Sequence, residues 1–196
     1  MKKKITVPFT EEQAFSLRAG DSVLISGVIY TARDAAHKRL VALLDEGQPL
    51  PCDLKDQIIY YVGPTPAKPG GIIGSAGPTT SYRMDAYASR LMDEVGLRGM
   101  IGKGLRSVEV IDAIKRNKGV YLAAIGGAGA LLASTVTACE VIAYPDLDSE
   151  AIHRLEVVDF PAVVVLDCHG GNLYKTGREA YLETAEEGEI NHDHVF

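Results

Sequence analysis

Apolar residues recur at helical spacing in three stretches of the chain. The longest stripe begins at Met84 with a period of about 3.6 residues, and it is followed by Gly96, a residue type that commonly ends helices. Shorter stripes follow Asp34 and Ser107, both of which are suitable N-cap residues. The predicted apolar faces are Met84, Tyr87, Ala88, Leu91, Met92 and Val95; Ala36, Leu40, Leu43 and Leu44; and Val108, Ile111 and Ile114.

Runs of β-branched and other apolar residues between these helices predict strands. The segment 21–30 is expected to form two short strands around Gly27, and residues 163–166 are expected to be buried on both faces of a sheet. The other predicted strands are 57–62, 99–101, 120–125, 136–144, 155–160 and 162–167. Strands and helices alternate in the middle of the chain. This order predicts an α/β domain with one open mixed sheet, or with two sheets and helices on one side.

A glycine- and proline-rich segment interrupts the pattern at residues 63–80. Its 18 residues include five glycines and four prolines and show neither a helical nor a strand period. Such a segment is either a linker or a structured functional loop. We favour an active-site loop, because the segment leads directly into a polar turn.

Composition narrows the classes of function. The chain has 196 residues, of which 46% are hydrophobic, which is enough to bury a substantial core in one domain spanning residues 1–196. A net charge of -6 argues against non-specific nucleic-acid binding. No apolar run is long enough for a membrane span, and the basic start lacks the apolar run of a signal peptide, so we expect a cytoplasmic protein. Residues 179–196 form an acidic C-terminal tail.

The cysteines and histidines give weak signals for a metal site. Cys52, Cys139 and Cys168 are far apart in sequence and form no C-x-x-C motif, so they are expected to be small buried residues rather than metal ligands. His192 and His194 are poorly spaced for one ion and lie in the acidic tail. We therefore expect this chain to ligate no metal.

Cations stand at three turns that lead into predicted helices. Arg83 follows Thr79 and Thr80 at a helix start, where the helix dipole favours acids rather than an arginine. Arg33 lies between a strand and a helix, and Lys103 lies between two glycines at a similar turn. Because ligands of α/β sheets bind beyond the carboxyl ends of strands, these turns predict a site for a small polyanion. His37, one turn after Arg33, either lines the same pocket or packs locally.

These blocks resemble a known family. Residues 31–39 (TARDAAHKR), 77–85 (GPTTSYRMD) and 101–104 (IGKG) are similar to the β-subunit, or C-terminal region, of iron–sulfur hydro-lyases. This family contains the class I fumarases and the L(+)-tartrate dehydratases. Residues 121–127 and 156–162 also look like this family, and the likeness extends over nearly the whole chain.

The resemblance implies a swivelling β/β/α domain and a partner. An α-subunit would carry a [4Fe–4S] cluster on three cysteines, and the two chains would form a heterodimer or a heterotetramer, with a homodimer possible for the isolated chain. Arg33, Thr79, Arg83 and Lys103 match the substrate-site positions of the family. The two arginines and the lysine suit a C4 dicarboxylate, and the resemblance assigns the catalytic base to Thr79. Thr80 is the alternative hydroxyl, or it caps the helix.

Three functions remain open at this point. The first is hydration of fumarate to (S)-malate as the β-subunit of a class I fumarase, which the run at residues 32–37 favours. The second is dehydration of tartrate to oxaloacetate as the β-subunit of L(+)-tartrate dehydratase. The third is a dicarboxylate-binding module without catalysis. A complete site within one chain would favour the third function, and a cluster-bearing partner chain would argue against it.

Overall fold

Strands and helices alternate through most of the part of the chain that the computed structural model describes, residues 2–124 and 129–177. The strands are β1 (Lys3–Thr6), β2 (Ser22–Thr31), β3 (Ile58–Tyr60), β4 (Gly99–Gly102), β5 (Val120–Ala123), β6 (Val136–Ala143) and β7 (Ile152–Leu166). The α-helices are α1 (Glu11–Phe15), α2 (Asp34–Asp45), α3 (Asp85–Arg90), α4 (Val108–Arg116) and α5 (Gly129–Ser134). A 3₁₀ segment covers Ser81–Met84, and a π-helical turn covers Leu91–Val95. The segment Pro145–Glu150 contains two short 3₁₀ turns separated by a kink at Asp148.

The strands form one mixed sheet that closes on itself. Strands β1 to β5 are parallel and lie side by side in chain order, and β7 runs antiparallel to β5 and β6. Strand β7 also pairs along β2, so β2, β3, β4, β5 and β7 form a closed ring. The α/β class is confirmed and the sheet is mixed, but this pairing replaces the expected open edge.

Alternation along the strands separates two apolar layers. On β3, Ile58 and Tyr60 belong to the cluster inside the ring, whereas Ile59 and the following Tyr61 belong to the cluster outside it. This is the period of two expected for a strand with apolar groups on both faces. Inside the ring, Tyr60 and Phe160 pack edge to face with their ring centroids 5.3 Å apart.

Helices α2, α3 and α4 cover the outside of the ring. The predicted stripe beginning at Met84 is buried at four of its six positions, Met84, Ala88, Leu91 and Met92, and Gly96 ends the helical segment with a φ of 82°. The predicted face of α4 is wrong in part: Val108 is exposed, and the buried residues of this helix are Val110, Ala113 and Ile114. Ser107 caps α4 as expected, accepting a hydrogen bond from the backbone N–H of Val110.

Two predicted pairs of strands are single strands. Strand β2 continues through Gly27, where its register with β7 shifts, so the glycine marks a β-bulge rather than a break. Strand β7 likewise runs through Pro161 without interruption. Residue 163 is half-buried, and the rest of the predicted buried run, residues 164–166, is buried. Among the described helices, none combines the length and the apolar character needed to cross a membrane. The predicted acidic tail lies outside the described residues.

Candidate active site

Parallel pairing brings the carboxyl ends of β2, β3 and β4 to one edge of the sheet. Tyr30 and Thr31 of β2 lie opposite Ile59 and Tyr60 of β3, and Tyr60 lies opposite Ile101 of β4. The chain therefore leaves all three strands at the same edge, where binding sites of α/β sheets form. Arg33, Gly63 and Lys103 follow these strand ends within three residues.

The segment 79–81 lies between the ends of β3 and β4. The backbone N–H of Thr79 donates to the carbonyl of Tyr61 (2.7 Å), and that of Ser81 donates to the carbonyl of Lys103 (2.9 Å). Thr80 lies opposite Lys103 in an isolated parallel bridge. Hence the fold brings Thr79, Thr80 and Lys103 together although 24 residues separate the first from the last. Both threonines are half-buried, and within residues 2–124 and 129–177 neither hydroxyl makes a hydrogen bond.

Ser81 joins this segment to the turn after β4. Its Oγ accepts a hydrogen bond from the backbone N–H of Lys103 (3.1 Å) and lies 2.9 Å from the hydroxyl of Tyr121. Tyr121 donates to the carbonyl of Gly104 at 3.0 Å, so Ser81 is the donor to Tyr121. A Cβ at Gly102 would lie 2.0 Å from Ser81 Oγ. Only glycine therefore permits this close approach.

Arg83 lies on the 3₁₀ turn that precedes α3, where it pairs with Asp34 at the start of α2. Arg83 Nη2 donates to Asp34 Oδ1 at 2.5 Å, and each side chain is 37% exposed. Burial alone would raise the pKa of Asp34, but the hydrogen bond and the charge of Arg83 outweigh it and lower the pKa. Asp34 is thus ionised at neutral pH and faces Arg83. It follows the N-cap residue of α2, Arg33, rather than being the predicted N-cap itself.

Arg33 is held against the segment that precedes β7. Its Nη2 lies 3.1 Å from Glu150 Oε1, and Glu150 also accepts a hydrogen bond from the backbone N–H of Ala35 (3.3 Å). The side chain passes over Gly63, where a Cβ would lie 3.1 Å from Arg33 Nη1. Arg33 Nε is buried and has no partner among the described residues. The Nε–H of Arg33 is therefore a buried donor that the described residues leave unsatisfied.

His37 lies behind Arg33 rather than at the surface. Its side chain is fully buried, and Nδ1 bonds to the carbonyl of Arg33 at 2.8 Å. A carbonyl only accepts, so Nδ1 carries the proton and Nε2 is left without a partner in the described part of the chain. Burial lowers the pKa of His37 to about 4, so the ring is neutral. This packing against Tyr61 and Tyr87 favours the local alternative for His37 over a place in the pocket lining.

Lys103 differs from the two arginines in its surroundings. Its side chain is exposed, and its ammonium forms no ion pair with residues 2–124 or 129–177. The turn that holds it is fixed by the backbone bonds to Ser81. The three predicted cations thus lie at one edge of the sheet, two paired with carboxylates of this chain and one free of such a partner among the described residues.

Sequence reasoning missed a buried ion pair beneath this edge. The side chain of Arg106 is fully buried, and its Nε donates to Asp85 Oδ1 at 2.6 Å. An arginine directly before the cap Ser107, together with an acid two residues after Arg83, was the available signal. Asp85 ends the block 77–85, but neither Asp85 nor Arg106 lies on an apolar stripe, so the hydrophobic pattern did not indicate that they are buried or paired.

The described residues offer no ligand set for an iron–sulfur cluster. No group of three or more His, Cys, Asp or Glu side chains in residues 2–124 and 129–177 is arranged to hold a metal ion. Cys52, Cys139 and Cys168 are free and half-buried, and burial is the largest influence that raises the pKa of each thiol. A cluster therefore does not fit the residues of this chain that the structure describes. His192 and His194 lie outside them.

Two fumarate hydratases match most of the chain. The chain is 42% identical over 152 residues to the aerobic class I fumarate hydratase of Escherichia coli K12, covering 77% of this chain and 28% of the relative. It is 39% identical over 164 residues to fumarate hydratase 2 of Leishmania major, covering 83% and 29%. The chain thus spans less than a third of the length of these two relatives.

A shorter relative matches along nearly its whole length. A Methanocaldococcus jannaschii protein assigned as an L(+)-tartrate dehydratase subunit beta is 35% identical over 183 residues, covering 91% of this chain and 94% of the relative. The family model described as Fumarase C-terminus matches residues 2–177, which include every residue of the strand-edge arrangement described above. Since that match takes in nearly all of the sequence, the chain belongs to the Fumarase C-terminus family.

Proposed function

We propose that this chain is the β-subunit of a class I fumarate hydratase, which catalyses the reversible hydration of fumarate to (S)-malate together with an α-subunit that carries a [4Fe–4S] cluster. The observation that carries the proposal is the convergence of Arg33, Thr79, Arg83 and Lys103 at one sheet edge. The similarity to fumarate hydratases of Escherichia coli and Leishmania major supports the choice of reaction.

The charges of the site suit a C4 dicarboxylate. Arg33 and Arg83 present planar guanidinium groups, which bind carboxylates in a bidentate manner. Lys103 adds a point charge on the turn beside Thr80. In this proposal the substrate carboxylates take the places that Glu150 and Asp34 occupy beside the arginines.

Thr79 is the proposed base. In the dehydration direction Thr79 acts as its alkoxide: Oγ1 takes the proton from the carbon next to a carboxylate of malate, the C–H electron pair forms the double bond, and the hydroxyl on the neighbouring carbon leaves with its bonding pair as hydroxide. A proton from the solvent converts the hydroxide to water, and Thr79 then returns its own proton to the solvent. A threonine hydroxyl is a weak acid, so the alkoxide needs positive charge nearby. Lys103 and Arg83, on the two segments that flank Thr79, are the groups of this chain that supply it.

Dehydration of tartrate is the second candidate reaction. The match that covers 94% of a relative assigned as an L(+)-tartrate dehydratase subunit beta favours it. Tartrate has the same two carboxylates and one additional hydroxyl, so the same cations would bind either substrate. The choice between the two reactions therefore depends on groups that contact the additional hydroxyl.

An anaerobic pull-down of the tagged chain from its native host tests the proposal. We expect a brown iron–sulfur partner to copurify and the eluate to hydrate fumarate faster than it dehydrates tartrate. The tagged Arg83→Met chain is the matched control, which should capture the same partner with weaker substrate binding. Faster dehydration of tartrate would replace the first reaction by the second. A colourless, inactive chain that binds malate alone would support a binding module instead.

A further inference from the structure

The Asp85–Arg106 pair lies where the segments of the proposed site meet. Asp85 begins α3, two residues after Arg83, and Arg106 follows Lys103 by three residues. The second carboxylate oxygen of Asp85, Oδ2, accepts a hydrogen bond from the backbone N–H of Ser107 at 2.6 Å. One carboxylate thus ties the segment that carries Arg83 to the turn that carries Lys103.

Two tyrosines enclose the guanidinium of Arg106. The carbon Cζ of Arg106 lies 5.3 Å from the ring centroid of Tyr61 and 4.9 Å from that of Tyr121, distances at which a cation is attracted to an aromatic face. The carbonyl of Tyr61 accepts the backbone hydrogen bond of Thr79, and the hydroxyl of Tyr121 bonds to Ser81. The guanidinium of Arg106 therefore contacts groups that hold the segment 79–81, the segment that carries Arg83 and the turn that carries Lys103.

Stability alone is a poor reason to bury this pair. Moving two charges out of water costs several kcal/mol per ion even in real proteins, so well-packed apolar residues often stabilise a core equally well or better. The side chains of Arg106 and Asp85 are 0% and 12% exposed, which places this pair among such cases. What an ion pair provides and an apolar contact lacks is a fixed direction between its two partners.

We infer that Arg106 is a positioning residue, which through Asp85, Tyr61 and Tyr121 sets the distances between Thr79, Arg83 and Lys103. The inference rests on the proposed function for its kinetic consequence, but the geometric claim concerns this chain alone. Arg106 itself contacts no substrate. Its replacement should let the segment 79–81 and the turn after β4 move relative to each other.

Arg106→Lys is the test variant, and Arg98→Lys is its matched control. Arg98 is also a mostly buried arginine paired with an aspartate, since its Nη2 lies 2.6 Å from Asp56 Oδ1, but it precedes β4 and so lies at the opposite end of that strand from Lys103. In the complex with the partner subunit, we expect kcat/KM to fall about tenfold or more in Arg106→Lys, since small misplacements of binding groups have such costs. Arg98→Lys should change kcat/KM less than about twofold at a similar loss of stability.

A double variant shows whether Arg106 acts through the site residues. If Arg106 positions Lys103, the losses of kcat/KM in Arg106→Lys and Lys103→Met will not multiply in the double variant. Losses that multiply in full would overturn the inference, because they would show that the two residues act independently.

Amide hydrogen exchange in the isolated chain separates this inference from the proposed function. Exchange at the amides of Thr79 and Ser81, which donate to Tyr61 and Lys103, should be faster in Arg106→Lys than in wild type and unchanged in Arg98→Lys. Unchanged exchange at both amides in Arg106→Lys would overturn the inference even if the wild-type complex is active. An inactive wild-type complex would overturn only the proposed function, because the exchange result stands without it.

The Asp85→Asn/Arg106→Met variant covers the case in which Arg106→Lys fails to fold. It removes both charges and so leaves no unpaired charge in the core. We expect a folded chain with faster exchange at Thr79 and Ser81. Wild-type exchange at these amides would contradict the positioning role.

Discussion

At the scale of single residues, Thr80 is an internal control for the proposal that Thr79 is the base. Both are half-buried, and within the described part of the chain neither hydroxyl is hydrogen-bonded. Valine keeps the branched shape, and the backbone bond from Thr79 to Tyr61 does not depend on the side chain. We expect Thr79→Val to lower kcat by about 10²–10⁴-fold, the range for loss of a general base, with little change in KM.

Steady-state kinetics of the assembled complex measure this effect. Thr80→Val should keep most of the wild-type kcat. A large loss in Thr80→Val combined with a nearly normal Thr79→Val would transfer the role of base to Thr80.

Replacement of Arg83 by methionine should act mainly on substrate affinity. The guanidinium is lost while the aliphatic stem remains, so we expect KM to rise at least about tenfold. Arg90→Met is the control, because Arg90 lies on the same helical segment and pairs with Glu94 and Asp45 away from the proposed site. An unchanged KM in Arg83→Met would remove Arg83 from the carboxylate clamp.

The buried His37 should make the stability of the chain depend on pH. Its pKa is about 4 in the folded chain and near the ordinary value of 6.5 when unfolded, so between these values the unfolded state binds more protons. The free energy of unfolding therefore falls as the pH drops from about 6.5 to about 4, by about 3 kcal/mol from this residue.

Urea unfolding at several pH values isolates this contribution. In His37→Gln the decrease between these pH values should be smaller than in wild type. Parallel profiles for wild type and His37→Gln would show that His37 is not protonated on unfolding.

At the scale of elements, the contact between β4 and the segment 79–81 depends on Gly102. An added Cβ would meet Ser81 Oγ at 2.0 Å, so Gly102→Ala must push the two segments apart. We expect a loss of about 1–3 kcal/mol in unfolding free energy, the usual cost of overpacking. Gly77→Ala is the control, since the nearest heavy atom would be 4.0 Å from its Cβ. Equal effects in denaturant titrations would show that the close approach is not tightly packed.

The sequence pattern identified the elements better than it identified their contacts. The stripe beginning at Met84 and the cap at Ser107 are confirmed because local periodicity and capping determine them. The face of α4 was predicted wrongly in part: Ile114 is buried as expected, but Ala113, a small residue with a weak hydrophobic signal, takes another buried position. Which of Val108 and Val110 faces the core is decided by the neighbouring helix, and a local pattern does not contain that neighbour.

The residues of the proposed site show the same difference between features that a local pattern predicts and features that depend on long-range contacts. Cations at strand-to-helix turns are visible in sequence, so Arg33, Arg83 and Lys103 could be selected and their common edge expected. The pairing of Arg106 with Asp85, which are 21 residues apart, and the closure of β2 on β7 depend on long-range contacts. A buried arginine also resembles a surface arginine in sequence, because nothing local records its burial.

At the scale of the whole molecule, closure of the ring encloses an apolar interior that contributes to stability. Phe160 is fully buried there, on the strand that pairs with β2, β5 and β6. Phe160→Ala should lower the unfolding free energy by about 3–5 kcal/mol through lost burial and the cavity left behind.

Thermal or urea unfolding checks this prediction against a residue of the same strand. Val158 is 54% exposed, so Val158→Ala should cost less than about 1 kcal/mol. Similar losses for the two variants would contradict a tightly packed interior.

The ion pairs Arg33–Glu150 and Arg83–Asp34 have a consequence for selectivity. Asp34 and Glu150 belong to the same chain as the two arginines, so they compete with any incoming anion for these arginines at a high effective concentration. A monocarboxylate would displace one of these two carboxylates, and the ion pair that it forms would only replace the ion pair that is lost. A dicarboxylate that also reaches Lys103 gains a contact for which residues 2–124 and 129–177 offer no competing carboxylate. We therefore expect competition from Asp34 and Glu150 to select against abundant monocarboxylates such as acetate, independently of the shape of the pocket.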